Sequence, residues 1–420
     1  MSECLVQGEQ NVRTTSAPLR RNRQFRALWT GAAAANLGLE TVEVAYPLLT
    51  LALTGSPALA GLFGFTQVGT ALLVGLPAGA FVDRWDRRRV LLVSEAVRAL
   101  TLGLLVAALA TGTAGFALLA TAAVVLGTAT AFGAPARMLL IRAVVPDHQL
   151  TAALSRDEAR AGAAALAGPP LGGALYVVSR VFPFVAAIAG FTVSFVCALT
   201  VRVPVRDERA EPSEPESALM AVRTVFSGLR ELVGDRLLRA ALTLVGAFYF
   251  TMTAATLAVV VALRHRHESA GAIGLALTGT AVGMLAGSAL APRLHRALAP
   301  GAVLLAASTL TTAAVALLAL PLGPVWAFAM LALAGLGLPA LRILVDVMIF
   351  RRTPDHRRGR AIAATIALIG AGSPMGSMAA GLSLQFLGAT TTVVLIAVVQ
   401  ALVTARGAAD SSVTKATWPS

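Results

Sequence analysis

Two glutamates, Glu40 and Glu43, lie inside an otherwise apolar stretch that begins at Leu28. At 1.5 Å per residue, Glu40 sits about 18 Å along that stretch, just past the middle of a bilayer. A charge at that depth costs at least about 2.5–3.5 kcal/mol unless it faces a cavity or a partner. Spaced i and i+3, the two carboxylates share one helix face, and like charges that close disfavour double ionisation. Such a pair can take up and release a proton, or hold a cationic substrate. Two further sets have the spacing of intrahelical ion pairs: Glu95 with Arg98, and Arg342 with Asp346. Both are expected to neutralise themselves and serve structure. Arg137, in another apolar stretch, is left to snorkel or to meet Asp83.

Other chemistries lack their residues. The only lysine is Lys415, in the tail, so no phosphate-cradling glycine loop ending in lysine exists, and neither ATP nor another nucleotide is expected as energy source. His267-Glu268 has no second histidine four residues on, and Cys4 and Cys197 are isolated, so no metal, cofactor or disulfide framework is expected.

The elements that position the acids follow from composition. Of 420 residues, 57% are hydrophobic and only 13% charged. Soluble domains carry about 25% charged residues, so too little polar surface remains to cover a water-soluble globule. Runs of about 20 apolar residues recur, each long enough to cross the hydrocarbon core. Counting them predicts an all-α membrane protein of twelve spans: Leu28–Leu53, Pro57–Val82, Val90–Ala110, Gly115–Leu140, Ala159–Val178 and Phe184–Val201, then Leu238–Leu263, Ala270–Pro292, Pro300–Leu320, Val325–Phe350, Ala361–Phe386 and Ala389–Ala405.

The net charge of +13 would suggest nucleic-acid binding in a soluble chain. The arginines instead cluster at Arg20–Arg26, Arg84–Arg89, Arg202–Arg239, Arg293–Arg296 and Arg351–Arg360, with nearly bare loops between. Only Arg180 and the stretch Arg264–His267 interrupt the alternation. That is the positive-inside pattern, and with an even span count it puts both termini in the cytoplasm of a cell-membrane protein. Lipid is the expected surrounding, and nucleic acid is not a partner.

The chain is internally repeated. Pro146-Asp147-His148 recurs as Pro354-Asp355-His356, and Gly79 as Gly287, both 208 residues on. Two six-helix halves, 25–203 and 237–406, are therefore expected, flanked by tails 1–24 and 407–420 and joined by a linker, 204–236. The linker carries an amphipathic helix over Ala218–Arg239, expected on the cytoplasmic membrane surface. Duplicated halves that rock about a midplane site are a common transporter plan.

The loop between the second and third spans reads Gly79-Ala80-Phe81-Val82-Asp83-Arg84-Trp85-Asp86-Arg87-Arg88-Arg89. Physically, Gly79 permits close helix approach, Asp83 can cap or oppose a helix N-terminus, and the arginines face the cytoplasm. The loop resembles the signature loop of the major facilitator superfamily; Gly79, Asp83, Arg84, Arg87 and Arg88 match, and Asp86 replaces the family's second glycine. The resemblance implies a conformational latch centred on Asp83, with Arg84 and Arg87 as neighbours. Phe25-Arg26-Ala27-Leu28-Trp29, Pro135-Ala136-Arg137, Val145-Pro146, Asp235–Ala240 and Pro354–Arg360 resemble the macrolide-efflux and enterobactin-exporter branch. On the fifth span, Gly168-Pro169-Pro170-Leu171-Gly172-Gly173 resembles the end of the antiporter motif of drug exporters, and it recurs in outline as Gly372-Ser373-Pro374-Met375-Gly376. Small residues there would also serve plain helix packing.

These resemblances imply a secondary transporter, not an enzyme, that exports a small amphiphilic antibiotic or siderophore in exchange for protons. A same-fold importer, an uncoupled carrier and a non-transporting membrane sensor or assembly partner are the alternatives.

Overall fold

The computed structural model describes residues 19–82, 84–202, 227–230, 232, 234–353 and 355–416. The first half comprises α1 (Arg23–Thr54), α2 (Pro57–Val82), α3 (Arg87–Ala110), α4 (Phe116–Val144), α5 (Asp147–Val178) and α6 (Phe182–Thr200). The second comprises α7 (Arg236–His265), α8 (Ala270–Ala297), α9 (Pro300–Leu317), α10 (Pro324–Gly335), α11 (Leu338–Arg352), α12 (Asp355–Gly370), α13 (Gly372–Leu387) and α14 (Ala389–Ala409), followed by one turn, α15 (Ser411–Thr414). Twelve segments are long and apolar enough to cross a membrane, α10 with α11 and α12 with α13 each counting as one. Helices suit that setting because they satisfy their own backbone polar groups where no water can.

Proline causes the two breaks. Pro339 and Pro374 lack the N–H that would continue the ladder, and their rings crowd the carbonyl four residues back. Each broken pair still forms one span, Pro324–Arg351 and Arg360–Leu387, where the tenth and eleventh spans are expected. Pro169 and Pro170, by contrast, lie inside an unbroken α5. That helix also starts twelve residues before the expected span, at Asp147, where the acidic side chain suits the helix N-terminus. Hydropathy alone missed this polar helical extension.

Within each half the same pairs pack: α1 on α5 and α6, α2 on α4, and α3 on α6 are matched by α7 on α13 and α14, α8 on α10, and α9 on α14. Small residues bring the helices together. Cβ atoms added at Gly38 and Gly31 would stand 2.8 Å from the Ala187 Cα and 3.1 Å from the Ser194 Cα, holding α1 on α6. Of the amphipathic linker stretch, residues 218–226 lie outside the described residues. Further on, Leu232 is buried and Gly228 abuts the Arg360 backbone, so one side of this end packs on protein.

The halves meet along two seams, α2 with α13 and α5 with α8. Both are tight at the end remote from the termini. A Cβ on Gly61 would lie 2.7 Å from the Gly381 Cα, and one on Gly173 would lie 3.0 Å from the Gly271 Cα. Ser377 donates across the first seam to the Gly61 carbonyl at 3.0 Å, and Ser56 to Gln385 Oε1 at 2.8 Å. Gly79 lies about five turns from Gly61 on the same face of α2, and Gly162 about three turns from Gly173 on the same face of α5. Nothing lies within 4 Å of a Cβ at either. The halves thus close at the far end and gape toward the end that carries the termini.

Overpacking a close contact costs about 1–3 kcal/mol. Gly61→Val is expected to open the far seam and raise maleimide labelling of a Ser377→Cys reporter about tenfold. Labelling is measured in membranes, with Cys4 and Cys197 replaced by serine; an unchanged rate would show that Gly61 does not hold the seam.

Candidate substrate pathway and charge network

Glu40 and Glu43 lie on α1 where it passes between α5 and α6. Glu40 is half-buried, and Glu43 is exposed although Val44, Ala45 and Tyr46 beyond it are buried. Neither enters an ion pair among the described residues. The two carboxylates feel each other's charge, and Tyr46 lies within electrostatic reach of Glu43 and Arg98. Tyr46 itself is packed against Phe63 at 4.6 Å and Phe184 at 5.5 Å between ring centroids, a core role.

The Gly-Pro stretch of α5 touches both this acidic face and the other half. Gly168 lies against the Glu40 backbone, a Cβ there standing 3.1 Å from the Glu40 Cα, and Gly172 against Thr41 at 3.2 Å. Gly173 meets Ala270 and Gly271 of α8, and the Pro169 carbonyl abuts Gly274. A side chain at any of these glycines would push α5 off α1 or off α8.

Glu95 and Arg98 do pair, but as part of a larger network. Glu95 is fully buried; its Oε2 is 3.6 Å from Arg98 Nη1, and its Oε1 accepts from Arg137 Nη2 at 2.6 Å and from Ser194 Oγ at 3.1 Å. Arg98 also donates to Thr130 Oγ1 at 3.2 Å and lies over the Phe191 ring, 5.5 Å from its centroid. Gly133 leaves room for it: a Cβ there would be 3.5 Å from Arg98 Nη2. Arg137 reaches Asn36 Oδ1 of α1 at 3.3 Å. One carboxylate and two guanidinium groups thus tie α1, α3, α4 and α6 together one turn below Glu40. Arg137 was not assignable from spacing, because its partner is 42 residues away.

The second expected pair is corrected. Arg342 and Asp346 form no ion pair; Arg342 Nη1 instead donates to the Tyr249 hydroxyl of α7 at 3.4 Å. A cation four residues before an acid is the weaker helical order, and Tyr249 offers a competing acceptor. Sequence reading also missed Arg160, a buried arginine that pairs with Asp157 at 2.9 Å and donates to the Ala32 carbonyl at 2.8 Å. Its partner Asp157 lies just before the expected start of the fifth span at Ala159, so that boundary split the pair.

In the signature loop, Asp83 lies outside the described residues. The cap of α3 is Asp86, whose carboxylate accepts from the Arg88 and Arg89 amides; at φ −60° the position needs no glycine. Arg84 is exposed. Half-buried Arg88 donates to the Ala198 carbonyl at 3.0 Å and to Leu199 O, a cation on the C-terminus of α6. Trp85 stacks on Phe132 with centroids 6.1 Å apart. No group of three or more metal-ligating side chains exists among the described residues.

Two six-helix halves that close at one end and gape at the other, with unpaired acids on a central helix, make the architecture of a secondary transporter. The chain belongs to the Major Facilitator Superfamily, whose sequence model matches residues 28–263. It is 28% identical over 360 residues to the multidrug efflux pump Tap of Mycobacterium tuberculosis and of Mycobacterium bovis, a match covering 80% of this chain and 81% of the relative. The fold is that of a bacterial homologue of the human lysosomal transporter Spinster in an inward-facing, occupied conformation (TM-score 0.71, 16% identity, 96% of this chain and 100% of that one). It also matches a bacterial homologue of the iron transporter ferroportin in an inward-facing state (TM-score 0.67, 16% identity, 94% and 100%).

Removing one member of a buried ionic network strands the rest, at about 3–5 kcal/mol. Glu95→Gln is therefore expected to lower the melting temperature in detergent strongly, by far more than Asp157→Asn at a partly exposed pair. Equal small shifts in the two would show that Arg98 and Arg137 find other partners.

Proposed function

We propose that this chain is a proton-coupled exporter of small amphiphilic compounds, working by alternating access in the cell membrane with both termini in the cytoplasm. The observation that carries the reading is the pair of unpaired carboxylates, Glu40 and Glu43, on a helix whose acidic face lies against a glycine-proline stretch that also touches the opposite half. A change in the charge or hydration of Glu40 is felt where Gly168 and Gly172 meet α1, one to five residues from where Pro169 and Gly173 meet α8. Protonation and the closure between halves are thereby linked through one short segment. The function for which the relatives are named, multidrug efflux, supports export of more than one compound.

In this cycle the gaping end faces the cytoplasm. Glu40 or Glu43 loses its proton there, substrate enters between the halves, and the far seams part. Reprotonation from outside then ejects the substrate. Asp83, with Arg84 and Arg87, would latch the opposite arrangement, in which the near ends close; Gly79, whose α2 face is open here, would let that approach happen. Arg88, bound to the end of α6, holds the loop's base in place.

The test is a pH-gradient dye in everted membrane vesicles, with amphiphilic antibiotics and siderophores added to wild type and to Glu40→Gln/Glu43→Gln. Substrate-triggered loss of the gradient in wild type and not in the double variant is the expected result. An equal response in both would clear these glutamates of coupling; silence in both, with transport intact when the gradient is collapsed, would make the carrier uncoupled.

A further inference from the structure

Away from both seams, α3 and α4 leave a groove of about 760 Å³ between them. Its walls are apolar: Val93 and Val97 on α3, Val124 and Phe132 on α4. Thr128, on the same wall, spends its hydroxyl on the Val124 carbonyl at 2.8 Å. Neither helix forms a seam between the halves, and Val93 is 61% exposed. The groove therefore opens to lipid, apart from the gap between the halves. From Val90 to Val97 is about 10 Å at 1.5 Å per residue, two-thirds of the roughly 15 Å of hydrocarbon in one leaflet.

The mouth of the groove differs in kind. It is formed by Arg84, Trp85, Asp86 and Arg89, at the end that carries the termini. Arg84 is exposed, and the Arg89 side chain is 85% exposed where its Nε meets the Asp86 carboxylate at 3.4 Å. That carboxylate is already committed, since its Oδ1 accepts from the Arg88 and Arg89 amides. Among the described residues, two guanidinium groups against one capping carboxylate leave the mouth cationic. Trp85, stacked on Phe132, places an aromatic ring where headgroups meet hydrocarbon, a favoured level for tryptophan. Guanidinium groups bind phosphate in bidentate fashion, and basic groups at the surface favour anionic lipid.

We propose that this groove is a specific site for an anionic glycerophospholipid, with one acyl chain between α3 and α4 and its phosphate on Arg84 and Arg89. A zwitterionic lipid brings a second cation beside the two guanidinium groups. A free phosphate leaves the valine walls empty. The anionic lipid satisfies both parts at once. The floor of the groove includes Ser94 and Ala129, both buried, so the bound chain covers the flank of the two helices that carry Glu95, Arg98 and Arg137.

The experiment uses Trp85 as the reporter, with Trp29, Trp326 and Trp418 replaced by phenylalanine, in bilayers of dioleoylphosphatidylcholine. Phosphatidylglycerol or phosphatidylcholine brominated in the upper part of one acyl chain is added in graded amounts, and quenching of Trp85 fluorescence is read. Half-quenching is expected at about tenfold less phosphatidylglycerol than phosphatidylcholine. Arg89→Gln should cut that preference about threefold, and Arg84→Gln/Arg89→Gln should bring the two lipids within about twofold. Arg293→Gln/Arg296→Gln, which removes the same charge on α8, should leave the preference whole. Val93→Phe, which fills the groove from an exposed position, should raise the phosphatidylglycerol needed about fivefold. Its melting temperature in phosphatidylcholine alone should not fall. Equal quenching by the two lipids would leave only an annular layer and overturn the proposal. So would a preference that survives Arg84→Gln/Arg89→Gln, one lost equally in the α8 variant, or one unmoved by Val93→Phe. Relief of quenching by millimolar glycerol phosphate would mark the mouth as a free-phosphate site and overturn it as well. No gradient or transported compound enters the measurement, so its outcome is independent of proton coupling.

Discussion

Backbone-to-backbone contact at a few glycines is the interaction on which this molecule depends. In a hydrocarbon surround, helices gain nothing from hiding apolar side chains from lipid, so association rests on close packing and on polar contacts. Gly61 with Gly381, and Gly173 with Gly271 and Gly274, are the positions where the two halves come close enough for both. Everything else in the arrangement follows. Because the seams are short and lie at one end, the opposite ends must diverge, and divergence creates the space into which Glu43, Asp346 and Arg342 open.

Each half carries a different electrostatic device. In the first, a single buried carboxylate, Glu95, is shared by Arg98 and Arg137 and supported by Ser194, Asn36 and Thr130 at secondary positions. Four helices converge there, so the half that carries Glu40 and Glu43 is tied together just below them. In the second half, among the described residues, Asp346 enters no ion pair and Arg342 keeps only a long contact to Tyr249.

Much of this was legible in the sequence. The span count, the repeat and the family follow from apolar run length, from Pro146-Asp147-His148 and its twin, and from the Gly79–Arg89 loop, because these signals are local. What sequence could not supply were partners chosen across space. Glu95 and Arg98 sit one turn apart and were readable as a pair; Arg137 completes their network from another helix and was not. Arg342 and Asp346 have the same kind of spacing and do not pair, since Tyr249 from α7 competes. Arg160 was missed because its partner Asp157 lies in the polar start of α5, which does not look like part of a span. Asp86, an apparent departure from the family's loop, proves to be the cap of the next helix.

The repeated glycine-proline stretches also differ in a way their likeness conceals. Pro169 and Pro170 leave α5 a single rod from Asp147 to Val178, whereas Pro374 divides its counterpart into α12 and α13. One arm of the machine is a stiff lever and the other has an elbow. A push on the first is delivered undiminished from one end to the other; a push on the second can be taken up at the joint. Gly370 stands immediately before that elbow, against Leu72 of the other half, so flexing there changes how the halves meet.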